Sequence, residues 1–394
     1  MSKTDSIVIV AAKRTPMGGM QGALSGATAT ELGSVAISAA LDAVSFDAAQ
    51  IDDVYFGNVV SAGLKQAPAR QASLGAGVPA SVPCTTISKV CGSGMKAVMI
   101  ARDQIAAGNA DVVLAGGMES MSNTPYLLPK ARAGMRMGHG QVLDSLFLDG
   151  LEDVETGGPM GSFGQATADQ YGLTREAMDD YAIESLTRAQ NAIAQGTMQD
   201  EIAPVTIQSR KGEVVVSEDE QPGNAKPEKI PHLKPAFKKD GTVTAANSSS
   251  MSDGAAALLL MRESTAEQHG LQPLARIVAQ SSHAQHPSEF CLAPVGALRK
   301  VLDKADWQAD EVDLYEINEA FAVVSMLAID QLGLDHAKVN INGGACALGH
   351  PLGASGARLI VTLIHALQRT GKHKGVASLC IGGGEATAIA IEMV

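Results

Sequence analysis

An internal repeat constrains this 394-residue chain more than any other feature of its sequence. A strand-like stretch that leads into an asparagine occurs twice, at Asn58 and at Asn318. Cys91 follows Asn58 by 33 residues, and His350 follows Asn318 by 32 residues. A Ser-Gly pair and a long apolar helix pattern come after each of them. A repeat of this size predicts two copies of one supersecondary unit that bury a common core.

The two copies differ in how the chain continues after the helix pattern. In the back copy, strand patterns at 376–381 and 387–391 follow each other across three glycines. In the front copy, the strand pattern at 111–115 finds its partner only at 255–261. We therefore expect a front half, a back half and an insertion, with the boundaries 1–118 plus 249–272 for the front half, 273–394 for the back half and 119–248 for an inserted loop domain.

The order of the elements predicts the fold class. Strands alternate with helices in each half, which favours βαβ units and mixed, mostly parallel sheets. The helix patterns after Cys91 and His350 are apolar on most of their faces, as is typical of buried helices. We expect an α/β protein in which the duplicated halves stack as five layers, αβαβα, with an inserted α/β loop domain. The two buried helices would lie in the middle layer with their N-termini close together.

The predicted insertion contains a helix and a basic segment. Thr174 has the place of an N-cap before a helix pattern. Residues 209–241 are rich in Lys and Pro and predict an exposed loop. We interpret the lysines of this segment either as solvated surface or as a site for an anionic cofactor. The lysines are Lys226, Lys229, Lys234, Lys238 and Lys239.

Composition excludes several classes of protein. A net charge of −12 and an aromatic content of 3% argue against a nucleic-acid-binding protein. The five cysteines include no CxxC pair, which indicates a reduced, intracellular protein rather than a disulfide scaffold. No signal peptide or 18-residue apolar span is visible, so we expect a cytoplasmic protein that does not bind membranes. His283 and His286 lack supporting carboxylates, and no metal site is expected.

Cys91 is the first candidate for chemistry. It precedes a helix pattern, and the free N–H groups and dipole of a helix N-terminus stabilise an anion. We therefore expect a lowered pKa and a nucleophilic sulfur. Gly92 and Gly94 are expected to leave room for a substrate. An isolated cysteine is more often a small buried hydrophobe, so Cys91 alone does not define the function.

Three further glycine-bearing segments accompany this one. The four segments, in chain order, are 91–94, 318–322, 349–351 and 380–384. Together, and at this spacing, they resemble the active-site segments of the thiolase family, which includes the acetyl-CoA acetyltransferases and the 3-ketoacyl-CoA thiolases. The resemblance extends over nearly the whole chain.

The resemblance implies a role for each catalytic position. Cys91 would be the nucleophile that takes the acyl group as a thioester, and His350 the base that activates it. Cys380 would move the α-proton of the second thioester. Asn318 would hold a water that contacts the enolate oxygen. The backbone N–H groups of Cys91 and Gly382 would form an oxyanion hole.

The resemblance also implies how substrates and subunits bind. Met160, Ser249, Ala320 and Phe321 would contact the acyl-CoA thioester. Coenzyme A would be substrate and product, and no permanently bound cofactor is expected. The inserted segment would cover the active site and bind coenzyme A. Residues 121–141 would make the contacts of a homotetramer, a dimer of dimers.

Three interpretations of the function follow. The favoured one is an acetyl-CoA C-acetyltransferase, which interconverts two acetyl-CoA with acetoacetyl-CoA and CoA by ping-pong Claisen condensation and thiolysis. The first alternative is a longer-chain degradative 3-ketoacyl-CoA thiolase of fatty acid metabolism. The second is a non-catalytic acyl-CoA or lipid carrier, and the presence of Cys380 as well as Cys91 argues against it. The direction of flux, the acyl chain length, the cation that contacts the CoA phosphates and the role of Cys346 stay open at this point.

Overall fold

A computed structural model describes residues 5–209 and 212–394 of the chain. The strands are β1 (Ile7–Arg14), β2 (Gly18–Gly19), β3 (Asp53–Gly57), β4 (Cys84–Ile87), β5 (Val112–Ser120), β6 (Tyr126–Leu127), β7 (Leu143–Asp144), β8 (Val205–Ser209), β9 (Gly212–Val216), β10 (Ser252–Arg262), β11 (Ala275–Ala284), β12 (Leu314–Ile317), β13 (Lys374–Ile381) and β14 (Glu385–Met393). The α-helices are α1 (Ala29–Asp42), α2 (Pro68–Gly75), α3 (Ser93–Ala107), α4 (Met160–Gln170), α5 (Arg175–Ala194), α6 (Glu220–Asn224), α7 (Glu263–Gln268), α8 (Ala293–Ala305), α9 (Ala322–Leu332), α10 (Ala345–Leu348) and α11 (Leu352–Thr370). Short 3-10 segments and one π-helical turn connect several of them.

The main sheet shows the predicted duplication. Its strands lie in the order β12-β13-β14-β11-β1-β10-β5-β3-β4, and β2 adds to β10. The four back-half strands repeat the pairing of β3, β5, β10 and β1, with the β3–β5 and β12–β13 pairs parallel. The halves join where Val8 and Ile9 of β1 pair with Arg276 and Ala275 of β11. Each half therefore contributes one part of a continuous sheet.

Two helices fill the space between the two parts of this sheet. α3 and α11 pack against each other and against strands of both halves. Every residue of α11 from Leu352 to Ile364 is buried, because sheet or helix covers each of its faces. α1 and α2 cover the outer face of the front half, and α8 and α9 that of the back half. The predicted five-layer αβαβα class is confirmed. The expectation of mostly parallel sheets is wrong, because six of the nine strand pairs described in the main sheet are antiparallel and three are parallel.

Close backbone contact between α3 and α11 explains several glycines. A Cβ on Gly94 would lie 2.8 Å from the carbonyl oxygen of Gly353, and one on Gly117 would lie 2.0 Å from the same atom. A Cβ on Gly92 would lie 2.4 Å from Cδ1 of Ile381. The expectation that Gly92 and Gly94 make room for substrate is therefore wrong. Their missing side chains let the two halves approach each other.

The chain leaves the main sheet after Ser120 and returns at Ser252. The α5 helix begins as predicted, with the Thr174 hydroxyl accepting a hydrogen bond from the Ala177 N–H. The expectation of a plain exposed loop over 209–241 is wrong in part, because a β8–β9 hairpin and α6 lie there; residues 210 and 211 fall outside the described ranges. Arg14 of β1 holds this segment through a buried ion pair with Asp219 at 2.7 Å. Throughout 5–209 and 212–394, no helix is both long and apolar enough to span a lipid bilayer.

Candidate active site

A cavity of about 450 Å³ opens where the central helices begin. Its size lies within the usual range for small-molecule sites. It is lined by residues from both halves and from the segment between β5 and β10. Eight of the nine predicted site residues line it, and these are Cys91, Met160, Ser249, Ala320, Phe321, His350, Cys380 and Gly382.

The Cys91 turn carries local strain. Val90 has a φ of +45°, in the left-handed region that β-branched residues avoid. The Ser93 hydroxyl stabilises the turn, since it donates to the Val90 carbonyl at 2.6 Å and accepts from the Lys89 N–H at 2.8 Å. Strain of this kind persists only when the surroundings impose it, and it is found mainly at functional sites. The turn places Cys91 two residues before the first residue of α3.

The thiol of Cys91 is neutral in the free protein. Burial raises its pKa to about 11, and the negative charge of Glu119 adds to the rise. A hydrogen bond from the Gly382 N–H to the sulfur acts in the opposite direction but does not reverse it. The expectation of a lowered pKa is therefore wrong, because desolvation outweighs the helix N-terminus.

His350 is held in one protonation state and one tautomer. Its Nδ1 lies 2.6 Å from the Ser355 hydroxyl, which donates its only proton to the Pro351 carbonyl at 2.9 Å. In the tautomer that satisfies both contacts, Nδ1 donates to Ser355 and Nε2 carries the free lone pair. Burial, together with the positive charge of Arg358, lowers the pKa of His350 to about 3. The ring is therefore a neutral base.

Asn318 lies beside this ring rather than on the cavity wall. Its side chain is fully buried at the end of β12. Nδ2 lies 3.5 Å from both ring nitrogens of His350, which is longer than a good hydrogen bond. Oδ1 has no hydrogen-bond partner among the residues that the structure describes. The amide thus retains hydrogen-bonding capacity next to the imidazole.

Cys380 lies at the end of β13 and lines the same cavity as Cys91 and His350. Burial raises its pKa well above the ordinary value, and the charges of Cys91 and Cys291 add to the effect. It belongs to the same apolar cluster as Phe290 and Ala320. The site thus combines two neutral thiols with a neutral imidazole. That set can exchange protons without leaving an unpaired charge in the resting protein.

Phenylalanines form much of the apolar wall. Four of the seven in the chain line the cavity, namely Phe147, Phe237, Phe290 and Phe321. The Phe321 ring packs edge-on against Phe237 and Phe290, with both centroid distances 6.2 Å. Only Phe321 was predicted from the sequence. The other three could have been suspected only because phenylalanine is rare in this chain, so that each ring stands out as a candidate for a special role.

A second cavity of about 260 Å³ adjoins the first and shares Gln221, Ala245 and Ser250 with it. Two lysines of the predicted basic cluster, Lys226 and Lys229, line this second cavity. Both are exposed, and neither is paired with a carboxylate of the described residues. Lys238, by contrast, is paired with Asp169 at 2.6 Å.

Three other observations complete the site. Cys346 lines the second cavity and not the first. Glu119, which the sequence did not indicate, and Ser355, which the sequence marked only as part of the repeated Ser-Gly pair, support the segment around His350 and the helix start after it. Within the described ranges, no group of three or more His, Cys, Asp or Glu side chains is arranged to hold a metal ion.

Comparison with known families agrees with this geometry. The family model "Thiolase, N-terminal domain" matches residues 7–264, and "Thiolase, C-terminal domain" matches residues 271–393. The two family models thus correspond to the two stacked halves of the fold. The site with two cysteines and a histidine lies between these halves. The chain is a member of the thiolase family.

Individual relatives match over almost their full length. Acetyl-CoA acetyltransferase from Pseudomonas aeruginosa is 48% identical over 98% of both chains, and acetyl-CoA acetyltransferase 2 from Arabidopsis thaliana is 49% identical over 98% of this chain and 97% of its own. The crystal structure of the Bacillus anthracis acetyl-CoA acetyltransferase has a TM-score of 0.96 at 44% identity, covering 99% of each chain. The Ascaris suum Acat5 thiolase, solved in complex with coenzyme A, has a TM-score of 0.93 at 41% identity, covering 99% of this chain and all of its own.

Proposed function

We propose that this protein is an acetyl-CoA C-acetyltransferase that interconverts two acetyl-CoA with acetoacetyl-CoA and CoA. The observation that supports this most is the convergence of Cys91, His350 and Cys380, from two duplicated halves, on one cavity. A transfer between two thioesters needs one sulfur to hold the acyl group and a second group to move the α-proton. The relatives named as acetyl-CoA acetyltransferases agree with this assignment.

The first half-reaction acylates the enzyme. As the Cys91 sulfur attacks the thioester carbonyl, its proton passes to Nε2 of His350. The N–H groups of Cys91 and Gly382 would receive the oxyanion, where one such donor is typically worth about 10²–10³ in rate. The CoA thiolate leaves and takes the proton of Cys380. An acetyl-Cys91 thioester, an imidazolium and a Cys380 thiolate remain, so that the charges balance.

The second half-reaction forms the carbon–carbon bond. The Cys380 thiolate takes the α-proton of a second acetyl-CoA, and the enolate oxygen is stabilised by the His350 imidazolium and by Asn318, directly or through a water. The carbanion attacks acetyl-Cys91, and acetoacetyl-CoA forms. The released Cys91 sulfur recovers its proton from His350. Thiolysis is the same sequence in reverse.

Coenzyme A would extend from the active site into the adjoining cavity. The shared wall provides a continuous path, and Ser249, whose hydroxyl donates to the Ala320 carbonyl at 3.0 Å, stands beside it. Met160 would contact the acyl end. Lys226 and Lys229 line the second cavity and pair with no carboxylate of the described residues, and we assign the nucleotide phosphates to them. Replacing both with Ala should raise KM for acetoacetyl-CoA about 10-fold while kcat changes little.

Assembly and location belong to the same proposal. The segment 121–141, proposed as the tetramer contact, exposes Tyr126, Leu128, Met135 and Met137, and apolar surface of that kind favours burial between copies. We propose a homotetramer, with 119–248 as the inserted domain between the halves 1–118 plus 249–272 and 273–394. All five cysteines lie within the described residues and are free, which supports a cytoplasmic location.

Mass spectrometry after incubation with acetyl-CoA tests the function. One acetyl group should appear on Cys91 and on no other cysteine. Cys380→Ser should still be acetylated but should fail to form acetoacetyl-CoA, whereas Cys91→Ser should not be acetylated. Cys84→Ser, a change outside the cavity, is the matched control and should behave as wild type. Full thiolysis by Cys91→Ser would show that the assignment is wrong.

A further inference from the structure

Glu119 is a fully buried carboxylate near the end of β5. Oε1 accepts hydrogen bonds from Nδ2 of Asn58 at 2.7 Å and from the Val60 N–H at 3.3 Å. Oε2 accepts from the Val59 N–H at 3.0 Å and from the Gly353 N–H at 2.9 Å. Two donors to each oxygen use the full lone-pair capacity of an ionised carboxylate.

These bonds connect the two halves of the protein. Asn58, Val59 and Val60 follow β3 of the front half, whereas Gly353 lies in the first turn of α11 in the back half. Gly353 follows His350 by three residues, and its N–H is one of the free donors at a helix start. The carbonyl of Gly353 faces the backbone of α3, the helix that follows Cys91. A single carboxylate therefore contacts the beginning of the helix that follows His350 and the end of strand β3 in the front half, which contains Cys91.

Glu119 does not line the active-site cavity. No ion pair joins it to a cation of the described residues, so its charge is balanced by N–H dipoles alone. Burying an unpaired carboxylate is costly, and burial raises the pKa of Glu119 to about 7. Its four hydrogen bonds are what make this arrangement tolerable. They also make it rigid, because each bond fixes a different backbone or side-chain donor.

We propose that Glu119, together with Asn58, is a positioning residue that fixes the His350 turn of the back half against the front half that carries Cys91. Asn58 is the repeat counterpart of Asn318. The duplication thus places one asparagine beside the imidazole and the other under the helix start that follows it. The inference rests on the proposed function, since it concerns the transfer of the Cys91 proton to His350.

Glu119→Gln tests the inference with almost no change in shape. The amide oxygen still accepts from two donors, but the amide NH2 faces two N–H groups and repels them. Because misplacement by about 1 Å can cost about 10² in rate, we expect the first-order rate of Cys91 acetylation to fall about 10- to 100-fold. The acetyl-CoA concentration at half-maximal rate should change less than about 3-fold. Quenched-flow mass spectrometry of single-turnover acetylation measures both.

Glu201→Gln is the matched control. Glu201 is also a buried carboxylate, but it pairs with Arg14 at 2.6 Å, outside the cavity. The Glu201→Gln substitution should lower the stability of the protein and leave the acetylation rate of the folded protein unchanged. Asn58→Ala, which removes one donor and keeps the carboxylate, should slow acetylation about 3- to 10-fold.

The possible outcomes separate this inference from the proposed function. A wild-type acetylation rate in folded Glu119→Gln overturns the positioning role. If that variant does not fold, an unchanged rate in Asn58→Ala overturns it instead. Failure of the wild-type protein to take an acetyl group on Cys91 overturns the proposed function first, and the inference with it.

Discussion

Nδ1 of His350 lies 2.6 Å from the hydroxyl of Ser355, five residues later in the chain and inside the first turns of α11. When the hydroxyl donates to the Pro351 carbonyl, the imidazole donates to the hydroxyl through Nδ1, and both contacts are satisfied. The front half contains a similar contact. The hydroxyl of Ser93, the counterpart of Ser355, stabilises the Cys91 turn by hydrogen bonds to the Val90 carbonyl and the Lys89 N–H. Each half thus uses the serine of its Ser-Gly pair to hold the catalytic segment, Ser93 through the backbone before Cys91 and Ser355 through the imidazole of His350.

Ser355→Ala should lower kcat for thiolysis about 10- to 100-fold and leave KM nearly unchanged. Without the hydroxyl, the ring is free to rotate and to change tautomer, and a general base contributes about 10²–10⁴ only when correctly oriented. Ser355→Thr keeps the hydroxyl and should retain most of the activity. Steady-state kinetics of the three proteins measure the effect. An Ala variant as fast as wild type would mean that the Ser355 contact does not orient the base.

Alkylation of Cys91 by iodoacetamide, without substrate, should accelerate about 10-fold per pH unit between pH 7 and 9. The reagent attacks the thiolate, and a pKa of about 11 keeps the thiolate a small fraction throughout this range. A thiolate–imidazolium pair would instead have reached its maximal alkylation rate below pH 7, and the rate would stay constant between pH 7 and 9. Rates followed by mass spectrometry, with Cys84 in the same molecule as the internal control, separate the two cases.

The sequence predicted the overall fold because a repeat leaves few ways to pack two copies of one unit. The positions of Cys91 and His350 at the starts of two buried helices were enough to predict that they share a cavity. The strand ends and the insertion were less accurately predicted. Gly116, for example, lies inside β5 and not at its end. The position requires glycine because a Cβ there would lie 2.1 Å from the Ala256 carbonyl oxygen. In the sequence, a glycine of this kind looks like the end of a strand.

The electrostatics of the site could not be predicted from sequence. Whether a cysteine at a helix start is ionised depends on how completely it is desolvated, and only the packed structure contains that information. Glu119 presents the same difficulty, since its four partners are backbone or amide donors from distant segments, and no local pattern marks them. Residues that act through tertiary contacts leave no periodic signal.

The contribution of His350 to the stability of the folded protein should fall as the pH decreases from 6.5, opposite in sign to that of the buried carboxyl of Glu119, whose pKa is raised. The pKa of His350 is about 3 when folded and near 6.5 when unfolded, so between these values the unfolded chain binds the proton and the native one does not. The free energy of unfolding should therefore decrease by about 2 kcal/mol from pH 7.5 to pH 5.0 through this group. Urea unfolding at both pH values, compared with His350→Asn, isolates the contribution. An equal decrease in the variant would show that other groups cause it.

Phe290 should limit the length of the acyl chain that the site accepts. The side chain is 3% exposed, lines the cavity, packs edge-on against Phe321 and shares an apolar cluster with Cys380, so it lies at the reacting end. Replacing its ring with a smaller side chain opens space at the position where carbons beyond those of acetoacetyl-CoA would lie. Since one methylene in such a pocket changes specificity about 10- to 200-fold, Phe290→Val should shift the ratio of kcat/KM toward a C6 3-ketoacyl-CoA by at least about 10-fold.

The control for this prediction is Phe163→Val, because Phe163 packs in the same apolar cluster without lining the cavity. It should lose stability to a comparable degree and keep the wild-type ratio of kcat/KM for acetoacetyl-CoA over the C6 substrate. An equal shift in both variants would indicate general loosening of the cluster. A wild-type enzyme that already prefers C6 and C10 substrates would instead favour the longer-chain thiolase, since the Phe290 ring would then not close the pocket at the length of acetoacetyl-CoA.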